Sequence, residues 1–206
     1  MADWEKISEV KDWYGDVLFT APLVAVNVAH PMMQEILAEL KTESRKFVFL
    51  CGHDSNIGSV LAAIGANDYS LPETIEKKTP IGSKLVIEKW AGNDGKMYAA
   101  VNLCYQSLDQ LRHLQLLSLE NTPTVFSVPI EGLTANEDGL YLLDDLTARL
   151  GERIAQYDEL LTGIASTRAV AQNDGTRARI FKLDGTPADE ETRGIVIVNG
   201  KKKVVK

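Results

Sequence analysis

Residues 46–51, Lys-Phe-Val-Phe-Leu-Cys, form a short, β-rich apolar run with no polar alternation. That is the pattern of a strand buried on both faces, as in a parallel sheet covered by helices. The run stops at Gly52-His53-Asp54-Ser55-Asn56, and residues 57–64, Ile-Gly-Ser-Val-Leu-Ala-Ala-Ile, read as the next helix, with Ser55 or Asn56 as its cap. Strand, polar turn and helix make an α/β arrangement. In open sheets of that kind, ligands bind at the carboxyl ends of the strands. The residues after Cys51 are therefore the first place to look for chemistry.

The rest of the chain fits around that unit. Residues 5–14 and 24–40 carry apolar positions at helical spacing, with Val28, Met32, Ile36, Leu37 and Leu40 near one face of the second segment. His30-Pro31 predicts a boundary or kink there, because proline lacks the donor and disfavours helix before it. Residues 84–90 and 97–105 read as strands joined by a hairpin through Asn93-Asp94-Gly95. A short helix is expected over 107–117 and a longer amphipathic one over 143–161. Residues 165–176 are small and polar, as in a linker, and 178–183 and 194–202 read as terminal strands.

The chain of 206 residues, 45% apolar and 25% charged, has the composition of a globular protein and not of a disordered or fibrous one. No apolar run approaches the roughly 18–20 residues of a membrane span, and residues 1–6 lack the basic and apolar regions of a signal peptide. The net charge of −7 is uneven: residues 1–160 carry −11 and residues 161–206 carry +4. An acidic body repels nucleic-acid backbones, so no nucleic-acid partner is expected. The two cysteines, Cys51 and Cys104, fit neither a disulfide framework nor a four-ligand zinc site, and both are expected to be buried, inert thiols.

Gly52-His53-Asp54 can be read in two ways. Either Asp54 caps the helix and His53 is a turn residue, or the pair faces the helix N-terminus, where backbone N–H groups and the macrodipole favour an anion. In the second reading a cationic His53 binds phosphate and a protonated Asp54 donates a proton to a leaving oxygen.

The surrounding residues favour the second reading. Leu50-Cys51-Gly52-His53-Asp54-Ser55-Asn56-Ile57 resembles the His-Asp motif of the histidine acid phosphatases, the two-domain branch of the histidine phosphatase superfamily. Lys11-Asp12-Trp13-Tyr14, Leu18-Phe19-Thr20, Thr79-Pro80-Ile81-Gly82-Ser83-Lys84, Tyr105-Gln106-Ser107 and Asn136-Glu137-Asp138-Gly139 are similar to that family in the same order. The likeness covers residues 1 to about 160 and is nearest to glucose-1-phosphatases and phytases. It implies a partial three-layer α/β/α sandwich over residues 1–162, beyond which the texture of the sequence leaves a linker over 163–176 and a small β segment over 177–206. It also implies hydrolysis of a small-molecule phosphate monoester, a sugar phosphate or inositol phosphate, through a phosphohistidine. His53 would hold the phosphoryl oxygens and Asp54 would protonate the leaving alcohol, with no metal or other cofactor.

The family's nucleophile lies in an Arg-His-Gly-x-Arg-x-Pro motif, and this chain has no Arg-His-Gly. Its Arg112-His113 is followed by Leu-Gln and reads as a surface helix pair; His30 reads as structural. By resemblance the chain starts partway through the family's sequence and lacks the half that carries the nucleophile. It is expected to show little or no phosphatase activity alone, or else to be a non-catalytic paralogue that binds phosphate or a partner. Sheet edges left open by a missing half predict self-association. Thr79-Pro80-Ile81-Gly82 is expected to be a structural turn, and Glu73 and Glu76 solvated loop acids. Cysteines common among relatives are replaced by Leu133 and Tyr141. Residues 181–202 resemble a β segment appended to many secreted bacterial proteins, so a periplasmic or secreted parent is expected.

Overall fold

The computed structural model describes residues 2–66, 69–173, 180–182, 187–188, 192–198 and 201–205. The chain divides into two compact units, Met1–Asp158 and Glu159–Lys206.

The first unit opens with helix α1, Ala2–Gly15, a π-helical turn over Asp16–Thr20, and helix α2, Pro22–Lys41. Pro22 sits at the start of α2, where its fixed φ suits a first helical turn and its missing N–H has no partner to lose. Pro31 lies inside α2, and the helix runs through the boundary expected at His30-Pro31. An interior proline costs about 3 kcal/mol. Ala25, Val26, Ala29 and Met33, all buried on one side, hold both halves of the helix against the core and offset that cost. No single helix among the described residues is long and apolar enough to cross a membrane.

Helix α3 spans Asp54–Ile64 and buries Ser59, Val60, Leu61, Ala63 and Ile64. It ends at Gly65, whose φ of +100° is the left-handed conformation that closes a helix without a Cβ clash. Arg149 donates from one guanidinium nitrogen to the carbonyls of Ile64 (2.8 Å) and Glu131 (3.0 Å), satisfying acceptors the helix end leaves open.

The sheet is antiparallel. Strands β1, Lys84–Ala91, and β2, Met97–Tyr105, form the expected hairpin with Lys84 opposite Cys104 and Ala91 opposite Met97. Gly95, at φ +78°, makes its turn. Strand β3, Thr124–Ser127, and the two-residue strand β4, Tyr141–Leu142, also pair with β2. The Tyr141 hydroxyl donates to the Val128 carbonyl (2.9 Å) and accepts from the Ile130 N–H (3.0 Å), tying that segment to the sheet. Val101, Leu103 and Tyr105 of β2 join one core with residues of α2 and α3 and with Leu146 and Leu150 of helix α5, Leu143–Asn173.

The strand expected over residues 46–51 is not formed: the segment carries no strand pairing and is exposed. Phe47 is 84% and Phe49 69% exposed, and Cys51, expected to be buried, is a free exposed thiol. A strand buried on both faces needs neighbours on both edges, and the antiparallel sheet here is built from later segments that do not pair with it. Cys104 is half-buried, and burial pushes its thiol pKa up. Helix α4 is shorter than expected, Leu108–Arg112, because His113 caps it and Leu114 turns left-handed at φ +49°. Ser107 and Gln110 close its start with reciprocal hydrogen bonds.

In the second unit, β5 (Ile180–Lys182), β6 (Pro187–Ala188), β7 (Gly194–Val198) and β8 (Lys201–Val205) form an antiparallel sheet in the order β6-β5-β7-β8. The expected linker is helical as far as Asn173, and 174–176 lie outside the described residues, as do 178, 179 and 183 of the expected first strand. Residues 164–173 hold three alanines and neither glycine nor proline, so their local preference is helical despite their small size.

Candidate functional site

The His53-Asp54 pair stands where the chain enters α3. His53 is the N-cap: its carbonyl accepts from the N–H groups of Asn56 (3.1 Å) and Ile57 (3.3 Å). The Asn56 side chain reaches back to accept from the His53 N–H at 2.8 Å, so Asn56 secures the helix start from inside the first turn. A Cβ on Gly52 would come within 3.1 Å of the Asn56 Oδ1, so glycine leaves room for that return contact. The Asp54 Oδ1 accepts from the Ser55 N–H at 2.8 Å, which orients the carboxyl group. The cap expected at Ser55 or Asn56, or at Asp54, is thus His53 instead: the helix begins one to three residues earlier than those positions would allow, and Asn56 only braces the cap from the third helical position.

Both His53 and Asp54 are exposed and line a cavity of about 310 Å³. The opposite wall is brought by α1 and the π-helical turn. Ser59, buried in α3, donates to the Phe19 carbonyl at 2.9 Å and pins the turn against the helix. Gly58 faces the turn, and a Cβ there would make ordinary contact with the Thr20 methyl at 3.5 Å. Phe19, Ala62 and Ala66 give the cavity an apolar lining, and Lys11, Asp12, Asp16, Tyr69 and Lys78 supply its polar groups.

The polar groups are paired with one another. Lys11 Nζ lies 3.4 Å from Asp54 Oδ2 and 2.8 Å from Glu76 Oε1, and Glu76 Oε2 accepts from the Ile81 N–H at 2.8 Å. Lys78 donates to Asp16 Oδ1 at 2.8 Å, and the Thr20 hydroxyl donates to the same oxygen at 3.0 Å. Partial burial alone would lower the Lys11 pKa; the Glu76 hydrogen bond and the charges of Glu76 and Asp54 outweigh it and raise the value above 10.5. Burial pushes the Asp12 carboxyl up despite a hydrogen bond from the Lys77 backbone. Burial, with the charges of Asp16 and Asp12, raises the Tyr69 phenol as well; its hydroxyl donates to the Lys78 carbonyl at 3.1 Å.

Comparison with known proteins decides the family. Residues 1–118 match the model of the histidine phosphatase superfamily, branch 2. The chain belongs to that family. It is 35% identical over 158 residues to the glucose-1-phosphatase of Providencia rettgeri, covering 74% of this chain and 38% of that protein. It is 31% identical over 107 residues to phytase AppA of Escherichia coli, covering 51% of this chain and 24% of that one. Among solved structures, the Hafnia alvei phytase in complex with tartrate superposes with a TM-score of 0.65 at 26% identity, covering 73% of this chain and 40% of that one. The phytase from Citrobacter braakii gives 0.64 at 27% identity, over 74% and 41%. This chain thus spans between about a quarter and two fifths of the length of the histidine phosphatases it matches, and its α/β architecture is a part of theirs.

The structure keeps His53 and Asp54 together at the cavity and separates the other histidines from it. His113 caps α4 beside Asp109, 3.0 Å away, on the surface. His30 stacks on Tyr157 at 3.9 Å and approaches Asp158 at 3.8 Å, a packing role between α2 and α5. Glu76, read from sequence as a solvated acid, is the partner of Lys11. Lys11, Asp12, Asp16 and Lys78 were not singled out as site residues. The likenesses at Lys11-Asp12-Trp13-Tyr14 and Leu18-Phe19-Thr20 are the signs in the sequence that this segment matters.

Proposed function

We propose that this histidine phosphatase chain carries the proton-donor side of a phosphate-monoester hydrolase site. His53 holds the phosphoryl oxygens, and Asp54, when protonated, gives its proton to the leaving alcohol of a sugar phosphate or inositol phosphate. The observation that carries this reading is the His53-Asp54 pair at the start of α3, open to the cavity and facing a helix N-terminus that favours an anion. The histidine nucleophile of the reaction belongs to a segment with the Arg-His-Gly pattern that this sequence lacks. The chain alone therefore binds phosphate without turning over ester, and the assembled enzyme works in a periplasmic or secreted setting.

Amide NMR with orthophosphate tests the site. Shifts are expected at Gly52, His53, Asp54 and Ser55, and His53→Ala removes them. Orthophosphate that leaves these resonances unmoved would refute the reading. Turnover of p-nitrophenyl phosphate at pH 4–6 should be absent; robust turnover abolished by His53→Ala would place a nucleophile within this chain.

A second reading, a non-catalytic chain that associates through its open face, rests on the exposed Phe47, Val48, Phe49 and Leu50. Light scattering separates the two: concentration-dependent self-association abolished by Phe47→Ser/Phe49→Ser, without any phosphate binding at His53, would favour it.

A further inference from the structure

From the charge pairing in the cavity beside Asp54, and resting on the reading of that site given above, we infer that this wall selects a hydroxyl-bearing leaving group carrying a single phosphate and discriminates against a polyphosphorylated one. The cavity is where the alcohol must lie if Asp54 protonates its oxygen, since Asp54, Ser55 and Gly58 form one side of it and α1 with the π-helical turn the other. A leaving group with further phosphates needs cations that are free to receive them. Among the described residues the cavity offers two lysines, and each is already engaged. Lys11 is held by Glu76 with Asp54 beside it, and Lys78 by Asp16.

The pairs are also braced. Glu76 spends its second oxygen on the Ile81 N–H, and Asp16 is steadied by the Thr20 hydroxyl. Swinging a lysine to a phosphate would leave a carboxylate behind without its cation. Asp12 adds another carboxyl group to the same wall. Counting Lys11, Lys78 and His53 against Asp12, Asp16 and Asp54, the lining carries no surplus of positive side chains, so a polyanion finds no net attraction beyond the one phosphate held at His53. Carboxylates that repel phosphate are good acceptors for hydroxyl groups, and the Phe19, Ala62 and Ala66 surface suits the C–H face of a ring. Glu76 and Asp16 are in this sense specificity-determining: they make Lys11 and Lys78 unavailable.

The test compares three ligands on the full chain by calorimetry and amide NMR: orthophosphate, a hexose 1-phosphate and inositol hexakisphosphate. The wild type is expected to bind the hexose phosphate several-fold more tightly than orthophosphate, and the hexakisphosphate no more than about threefold more tightly. Glu76→Gln/Asp16→Asn frees both lysines and should raise hexakisphosphate affinity at least tenfold relative to orthophosphate. A wild type that prefers hexakisphosphate tenfold over orthophosphate would overturn the inference, as would a double variant that leaves the ratio unchanged.

Salt dependence provides a measurement that needs no variant. If the lysines stay paired, binding of hexakisphosphate and orthophosphate weakens in parallel between 50 and 500 mM salt; a markedly steeper loss for hexakisphosphate overturns the inference. Orthophosphate that fails to move His53 and Asp54 sinks the site reading and this inference together. Orthophosphate bound there, with hexakisphosphate preferred, sinks only this inference.

Discussion

The two sides of the Gly52-His53-Asp54 junction have similar apolar content and opposite fates. On the far side, residues 57–64 fold into α3, and Val60, Leu61 and Ile64 go into the core. On the near side, residues 46–51 form no regular element, with Phe47 and Phe49 in solvent. A helix satisfies its backbone within itself and needs only one buried face. A strand satisfies nothing alone and must borrow both hydrogen bonds and burial from neighbours. The site lies where a self-sufficient element meets one that is not, so its two halves should respond to mutation on different scales.

The largest contrast is expected between core and run. Leu61→Ala removes a side chain that is 1% exposed and should cost about 2–5 kcal/mol in urea unfolding. Phe49→Ala, a larger deletion, should cost no more than about 0.5 kcal/mol, because the ring has little contact to lose. Equal losses at the two positions would mean that residues 46–51 are packed in solution and would break the comparison. A smaller effect sharpens it at the junction itself. Asn56→Ala deletes the acceptor that holds the His53 N–H and should destabilise the chain by about 1 kcal/mol. It should also broaden the His53 amide resonance, which Leu61→Ala at the same loss of stability would not do.

What could be read from sequence follows the same division. The β1–β2 hairpin was legible because Asn93-Asp94-Gly95 sets it locally, and α3 because its apolar spacing lies within a dozen residues, although its cap is His53 and not Ser55 or Asn56. The 46–51 run misled because periodicity reports which residues prefer burial, not whether a partner strand is there to bury them. The first part of the linker misled because small residues such as those of 164–173, where neither glycine nor proline stands, are also acceptable in a helix. His53 and Asp54 were found as a motif of adjacent residues. Their surroundings were not, since Lys11 meets Glu76 across 65 positions and Lys78 meets Asp16 across 62. No spacing rule connects such residues; only the packing of α1 and the π-helical turn against residues 73–81 does.

The weakest expected effect probes that fold-made wall. Asp12 is half-buried against the segment that carries Lys77, and its carboxyl pKa is raised above 3.8, first by burial. The native state therefore holds its proton more tightly than the unfolded chain. Ionised Asp12 works against folding at neutral pH, and that penalty fades as pH falls through the native pKa and is gone below 3.8. Asp12→Asn should stabilise the chain at pH 7 by about a few tenths of a kcal/mol, the burial cost being discounted for solvent screening. The gain should disappear at pH 3, whereas an effect of the same size at both pH values would mean that packing, not charge, distinguishes the two side chains. Because Asp12 belongs to α1 and α1 closes the cavity over Asp54, a pH-dependent gain would also show that the charged wall is formed in solution.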